Sequence, residues 1–175
     1  APRREPPRGA RNGAWKSPIT SDLIVAGTIK LVELAWDGGD IYWLEMRPSE
    51  GGRNVLVRRT PDGSITDVTP GVSPPSPVPG RTFNVRTRVH EYGGGAFAVA
   101  AGVVYFSNLE DGRIYRQEVG GVPEPLTPID SMRYADFAVD RARNRLICIR
   151  EDHSGDGEPV NTIVAVGSLA SADPK

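Results

Sequence analysis

Three stretches of this chain repeat one pattern of apolar strand, tight turn and second apolar strand, and a chain built from such units has few ways to fold. The first sets residues 31–35 against 41–45 across the polar turn Trp36-Asp-Gly-Gly-Asp40. The second sets 96–100 against 103–107 across Ala101-Gly102, and the third sets 134–139 against 145–150 across Asp140-Arg-Ala-Arg-Asn144. Each continues into a segment that fits a third strand, at 54–58, 113–117 and 161–165. The first two copies also close alike, on a turn and a short strand that ends in Thr69-Pro70 and in Thr127-Pro128.

The spacing narrows the architecture. Tyr105 and Ile147, matched positions in the second strands, are 42 residues apart, and four-stranded propeller blades repeat every ~40 to 50 residues. Tyr42 and Tyr105 are 63 apart, so copy one carries about 21 residues beyond that period. Most of them fall in Gly71-Val-Ser-Pro-Pro-Ser-Pro-Val-Pro-Gly80, where closely spaced prolines suit an extended surface insertion. The fold class is therefore all-β, with about three consecutive four-stranded antiparallel blades of an incomplete β-propeller. The expected boundaries are a basic tail without fixed structure at 1–14, blade one with its lead-in at 15–70 and the Pro-rich insertion and second lead-in at 71–92. Blade two follows at 93–128, an incomplete blade three at 129–166 and a tail at 167–175.

Charge excludes some function classes. With 21 basic and 22 acidic groups, no long-range field favours nucleic acid or an anionic membrane as a partner. The basic excess is local: Arg3, Arg4, Arg8 and Arg11 stand against Glu5, so the first residues read as a solvated tail or the remnant of an Arg-rich targeting segment. No apolar run reaches the ~20 residues of a membrane span and no secretory signal is visible. Cys148 stands alone in an apolar alternation, which excludes an internal disulfide and points to a reducing compartment, the cytoplasm or an organelle interior such as stroma or matrix. It reads as a small buried hydrophobe rather than a nucleophile, because no base or cation is placed to activate it.

Three blades cannot close a ring that takes about 4 to 8. The remaining blades are expected either later in a longer polypeptide or on another chain. In isolation the apolar flank of copy three is an exposed patch that favours association.

Several long phrases carry a family resemblance: Trp15-Lys-Ser-Pro-Ile-Thr-Ser-Asp22, Arg88-Val-His-Glu-Tyr-Gly-Gly-Gly-Ala-Phe97, Tyr105-Phe-Ser-Asn-Leu-Glu-Asp-Gly-Arg-Ile-Tyr-Arg-Gln117, the run 134–146, and Arg150-Glu-Asp-His153. In this order they resemble the amino-terminal propeller of the prolyl oligopeptidase family, over about residues 13–166. The likeness is to the acylaminoacyl-peptidase-like, dipeptidyl-aminopeptidase-like branch of bacteria and plants. It implies a propeller that filters short peptides or acyl-peptides for an α/β-hydrolase domain bearing a Ser-Asp-His triad. No triad residue carries over: the chain has no Gly-x-Ser-x-Gly elbow, and neither His90 nor His153 belongs to the family's catalytic motif. The resemblance thus implies partners in the missing blades and hydrolase domain, a peptide substrate for the parent, and no cofactor. The competing reading is a non-catalytic scaffold or interaction subunit that retains a propeller segment.

The candidate substrate contacts are Arg86, Arg88, His90, Glu91 and Tyr92, a polar cluster just before Gly93-Gly-Gly95. The first strand of a blade borders the central channel, so the cluster is placed to meet a peptide's charged end by charge-assisted hydrogen bonds. The alternative is that Glu91 pairs with the arginines, Tyr92 packs, and the glycines allow angles or approaches that side chains would block. A phosphate cradle needs a following helix and Gly-Lys-Ser/Thr, which are absent. The acidic run Glu151-Asp-His-Ser-Gly-Asp-Gly-Glu158 has oxygen spacing reminiscent of a calcium loop, but its twelfth position from Asp152 is Ile163. It reads as a solvated hairpin, and no metal site is expected of it or of His153. Trp36, Tyr42, Trp43, Tyr105 and Phe106 read as inter-blade packing rather than a ligand cage.

Overall fold

A computed structural model describes residues 28–71 and 83–167 of the chain. Among them are eleven strands in three antiparallel sheets and no α-helix. Blade one is β1 (Lys30–Asp37), β2 (Asp40–Arg47), β3 (Arg53–Arg59) and β4 (Ile65–Asp67) in sequence order. Blade two is β5 (Phe97–Ala100), β6 (Val103–Ser107), β7 (Ile114–Glu118) and β8 (Glu124–Pro125). Blade three is β9 (Met132–Asp140), β10 (Arg145–Asp152) and β11 (Val160–Val166). The sequence boundaries of the repeat therefore fall within a residue or two of the strands. The basic segment 1–14, the insertion apart from Gly71, and the tail apart from Gly167 lie outside the described residues.

Period-2 alternation assigns each strand two apolar partners. In β6, Val104 and Phe106 turn toward blade one and join Tyr42, Leu44, Leu56 and Phe97 in one core. Tyr105 turns the other way, into a second core with Ile114, Tyr134, Leu146 and Cys148 of blades two and three. Phe83 sits between blades one and two, edge-on to Phe106 at 5.9 Å and to Tyr115 at 5.1 Å between ring centroids. Such edge-to-face geometry adds about 0.5 to 1.5 kcal/mol per pair beyond area burial. Of the aromatics assigned to inter-blade packing, Tyr42, Tyr105 and Phe106 are buried, but Trp36 is 74% exposed. Trp36 lies with Leu31 and Leu34 on the open flank of blade one, where no neighbouring blade is present among the described residues. Ile163 and Val160 are exposed in the last strand of blade three, so the three-blade arc presents apolar side chains at both ends.

The shared Thr-Pro ending has a structural cause. The Thr69 hydroxyl accepts from the Leu56 N–H at 3.1 Å and the Thr127 hydroxyl from the Ile114 N–H at 3.0 Å. One residue earlier, Val68 donates to the Leu56 carbonyl and Leu126 to the Ile114 carbonyl. Each threonine thus extends the fourth-strand ladder by one bond after its own backbone has turned away, satisfying a buried donor on the third strand.

Blades are also stitched to one another by polar contacts. Asp37 accepts from the Gly102 N–H at 2.6 Å, Gln117 donates to the Val68 carbonyl at 2.7 Å, and the Ser107 hydroxyl donates to the Tyr134 carbonyl at 2.6 Å. The first covers the tight turn of blade two with the last residue of β1.

Candidate functional site

The segment leading into blade two alternates strictly. Phe83, Val85, Thr87 and Val89 are buried, whereas Arg86, Arg88 and His90 are exposed. Val85 donates to the Asn54 carbonyl of blade one and Arg86 to the Ser107 carbonyl of blade two, so the segment runs along the seam with its polar side outward. Residues 86 and 88 share that side because extended chain alternates its side chains.

The chain then reverses. Glu91 donates to the Arg88 carbonyl, Tyr92 to the His90 carbonyl at 2.6 Å, and Gly93 to the Val89 carbonyl. His90 and Glu91 hold φ of 55° and 61°. The bond from Tyr92 back to His90 with positive φ at Glu91 has the hand of the rare γ-turn, which stores strain. Tyr92 stands out at 94% exposure instead of packing. The alternative in which Glu91 pairs with the arginines is not realised either: among the described residues, the side chains of Arg86, Arg88 and Glu91 make no ion pair.

One carboxylate of blade three anchors this turn and is itself held by two neighbours. Glu151 is buried, and its Oε1 accepts from the His90 N–H at 2.9 Å. Its Oε2 lies 2.6 Å from His153 Nε2 and 3.7 Å from Arg133. Burial pushes the Glu151 pKa up, but the bonds from His153 and His90 and the charge of Arg133 outweigh it and hold the carboxyl below its usual range. Both histidines of the chain therefore converge on one acid. Within the acidic run, Asp152 accepts from the Ser154 N–H and hydroxyl instead of facing its neighbours. Among the described residues no three His, Cys, Asp or Glu side chains gather as metal ligands.

The glycines have tertiary reasons. Gly93 has φ +89°, and a Cβ there would meet the Thr87 carbonyl oxygen at 3.2 Å. A Cβ on Gly94 would meet Asp136 Oδ2 at 2.9 Å and the Ala135 Cβ at 3.0 Å. Asp136 needs that space because its Oδ1 accepts from the Gly95 N–H at 2.7 Å. From the other side, both carboxylate oxygens of Glu33 in blade one approach the Ala96 N–H, at 2.9 and 3.0 Å. Both acids sit at positive φ where the strand register shifts, Glu33 between Val32 and Leu34 and Asp136 opposite the shift between Ile147 and Ile149. Such bulges re-aim a side chain. Sequence reasoning missed this pair. The visible signal is the common frame Glu33-Leu-Ala-Trp-Asp37 and Asp136-Phe-Ala-Val-Asp140.

Beside the turn, blades two and three enclose a cleft of about 320 Å³ lined by Arg86, Arg88, Asp111, Asp130, Arg133 and His153. Of the five candidate residues the structure brings Arg86 and Arg88 to this cleft. His90 is not in its lining and bonds Glu151 through its N–H, and Tyr92 borders a separate recess of about 240 Å³ with Arg86, Glu33 and Gly94.

No protein-family model matches the chain, and no curated protein matches it. Solved structures do. Puromycin hydrolase superposes with a TM-score of 0.73 at 32% sequence identity, over 89% of this chain and 24% of that one, and a variant of it complexed with PGG gives the same values. A Mycobacterium tuberculosis puromycin-hydrolysing peptidase superposes with a TM-score of 0.68 at 30% identity, over 89% of this chain and 23% of that one. The chain therefore spans about a quarter of the length of these proteins. At this identity along nine-tenths of its length, the chain is similar to puromycin hydrolase, a prolyl oligopeptidase family peptidase, in a way consistent with the amino-terminal propeller portion of that protein.

Proposed function

We propose that this chain is the substrate-selecting propeller of a serine peptidase that acts on short peptides or acyl-peptides, in the acylaminoacyl-peptidase-like branch. The cleaving residues belong to an α/β-hydrolase domain outside these residues, where an activated serine would attack the peptide carbonyl and pass through an acyl-enzyme. The observation that carries this reading is the 32% identity, over 89% of the chain, to an enzyme that hydrolyses puromycin. Supporting it, the strained turn at His90–Glu91 holds polar side chains outward at one end of the blade seam. Strain retained in a turn is commonly a feature of functional sites.

The test needs the propeller joined to its hydrolase domain in one polypeptide. Glu91→Gln should change KM for short peptides by several-fold with kcat held, while Glu124→Gln, on the remote strand β8, should change neither. Unchanged kinetics in Glu91→Gln would leave the turn a purely structural element.

A further inference from the structure

We propose that the cleft between blades two and three is a carboxylate-binding recess, in which Arg86 and Arg88 take the C-terminal charge of an extended peptide. This rests on the substrate-selecting reading above and gives it a chemical class.

The partners of the charged groups around the cleft carry the inference. The acids that line it, and Glu151 behind it, take their hydrogen bonds from groups other than the side chains of Arg86 and Arg88. Asp111 accepts from the Tyr115 hydroxyl at 2.6 Å, from Asn108 Nδ2 at 3.1 Å and from the Arg113 N–H at 3.2 Å. Asp130 accepts from the Met132 N–H at 2.9 Å. Glu151 is buried behind His153 and holds it at 2.6 Å. Arg133 is spent on the Arg88 carbonyl at 3.3 Å and on Glu151. Arg86 and Arg88 are left as exposed guanidinium groups with no acidic partner among the described residues.

The geometry suits a carboxylate. The two arginines lie two residues apart on one side of extended chain, so their Cα atoms are about 7 Å apart. Both residues line one cleft, and a guanidinium matches the two oxygens of a carboxylate in a way that a lysine or a single N–H cannot. At about 320 Å³ the cleft lies at the small end of ligand pockets, roughly 300 to 1,000 Å³, which suits the last residue or two of a peptide. The Arg133 and Glu151 contacts fix one wall, since both tie blade three to the segment carrying Arg88.

Calorimetric titration of the chain with acetyl-Ala-Ala-Ala as the free acid, as its C-terminal amide, and with acetyl-Ala-Glu-Ala amide tests this directly. The free acid should bind at least about tenfold more tightly than either amide, and added salt should weaken it. Arg88→Gln should lower that affinity at least about fivefold, with Arg88→Lys intermediate and the unfolding temperature of both unchanged. Equal affinity for acid and amide, or unaltered binding in folded Arg86→Gln and Arg88→Gln, would overturn the proposal. Equal binding of the glutamyl amide would overturn the assignment to a chain end. The two readings fail separately. A joined polypeptide without peptidase activity sinks the proposed function while the acid preference stands, and an active peptidase with equal KM for acid and amide peptides sinks the recess alone.

Discussion

Glu33 and Asp136 occupy the same bulge position in the first strands of blades one and three and close on blade two from opposite sides, Glu33 at the Ala96 N–H and Asp136 at the Gly95 N–H. Neither blade two nor the glycine run can shift without giving up one of these charge-assisted bonds. The pair explains why a flexible sequence, three consecutive glycines, is held as an ordered entry to a strand.

Removing one arm should loosen that entry. Asp136→Ala loses a bond to a charged acceptor, worth ~1.5 to 3 kcal/mol when well shielded, and places alanine at a φ of 57°. Asp136 is exposed, so the lower end applies and a loss of about 2 kcal/mol is expected from urea denaturation. Asp136→Asn keeps an oxygen acceptor and tolerates that φ, and should cost no more than ~1 kcal/mol.

Gly94→Ala should cost more than Gly51→Ala. At Gly94 the new Cβ meets Asp136 and Ala135 within about 3.0 Å, whereas Gly51, at φ +69°, has nothing within 4 Å. The first substitution expels the carboxylate and should destabilise by at least ~2 kcal/mol; the second adds backbone strain alone, about 1 to 2 kcal/mol. Equal urea midpoints for the two would show that the close approach does not hold in solution.

Thr69→Val and Thr127→Val preserve shape and delete the hydroxyl. Each leaves a buried strand N–H, of Leu56 or Ile114, without its acceptor, at a cost of ~1 to 3 kcal/mol. Thr69→Ser retains the bond and loses one methyl, about 0.8 kcal/mol. Denaturant midpoints in the order wild type, Ser, Val are expected.

Glu33 and Glu151 should have opposite pH signatures. Burial, helped by the charge of Asp136, raises the Glu33 pKa against the pull of the Ala96 and Phe97 N–H groups. A raised folded-state pKa favours folding below the unfolded value of about 4.3 and loses that contribution as pH climbs through the folded value. Glu151 is depressed, so its contribution is full above about pH 4.3 and disappears as pH falls through the lower folded value. Stability measured from pH 3 to 7 should therefore shift in favour of Glu33→Gln relative to wild type as pH rises, and against Glu151→Gln.

Cys148 is 2% exposed and its thiol is pushed up to about 11 by burial. It should not react with a disulfide reagent at pH 8 in the folded chain, and labelling should follow the unfolding rate. Rapid labelling under native conditions would contradict its place in the core of blades two and three.

The repeat made the strands legible because period-2 burial needs only neighbouring residues: every hairpin read from residues 31–45, 96–107 and 134–150 corresponds to strands in place. The Thr-Pro endings were visible too, though their role required knowing which third-strand N–H lay opposite. The candidate cluster was found as a unit but divided by the fold. Arg86 and Arg88 line the cleft, the His90 N–H bonds Glu151, and Tyr92 faces solvent, because the chain leaves its extended path at His90 and reverses through the turn at Glu91. Glu33 and Asp136 were passed over because a bulge is a property of two strands' register, which no single segment displays.

The sequence by itself determined the blade as a unit, its period, its apolar alternation and its kinship, since all of these are local patterns repeated along one chain. Only tertiary structure decided which groups share a site. Glu151 meets His90 across 61 positions and Asp136 meets Gly95 across 41, and such distant partners are chosen by how whole sheets dock. That docking, driven by apolar faces shared between blades, brings Arg86 and Arg88 to one cleft without an acidic partner among the described residues.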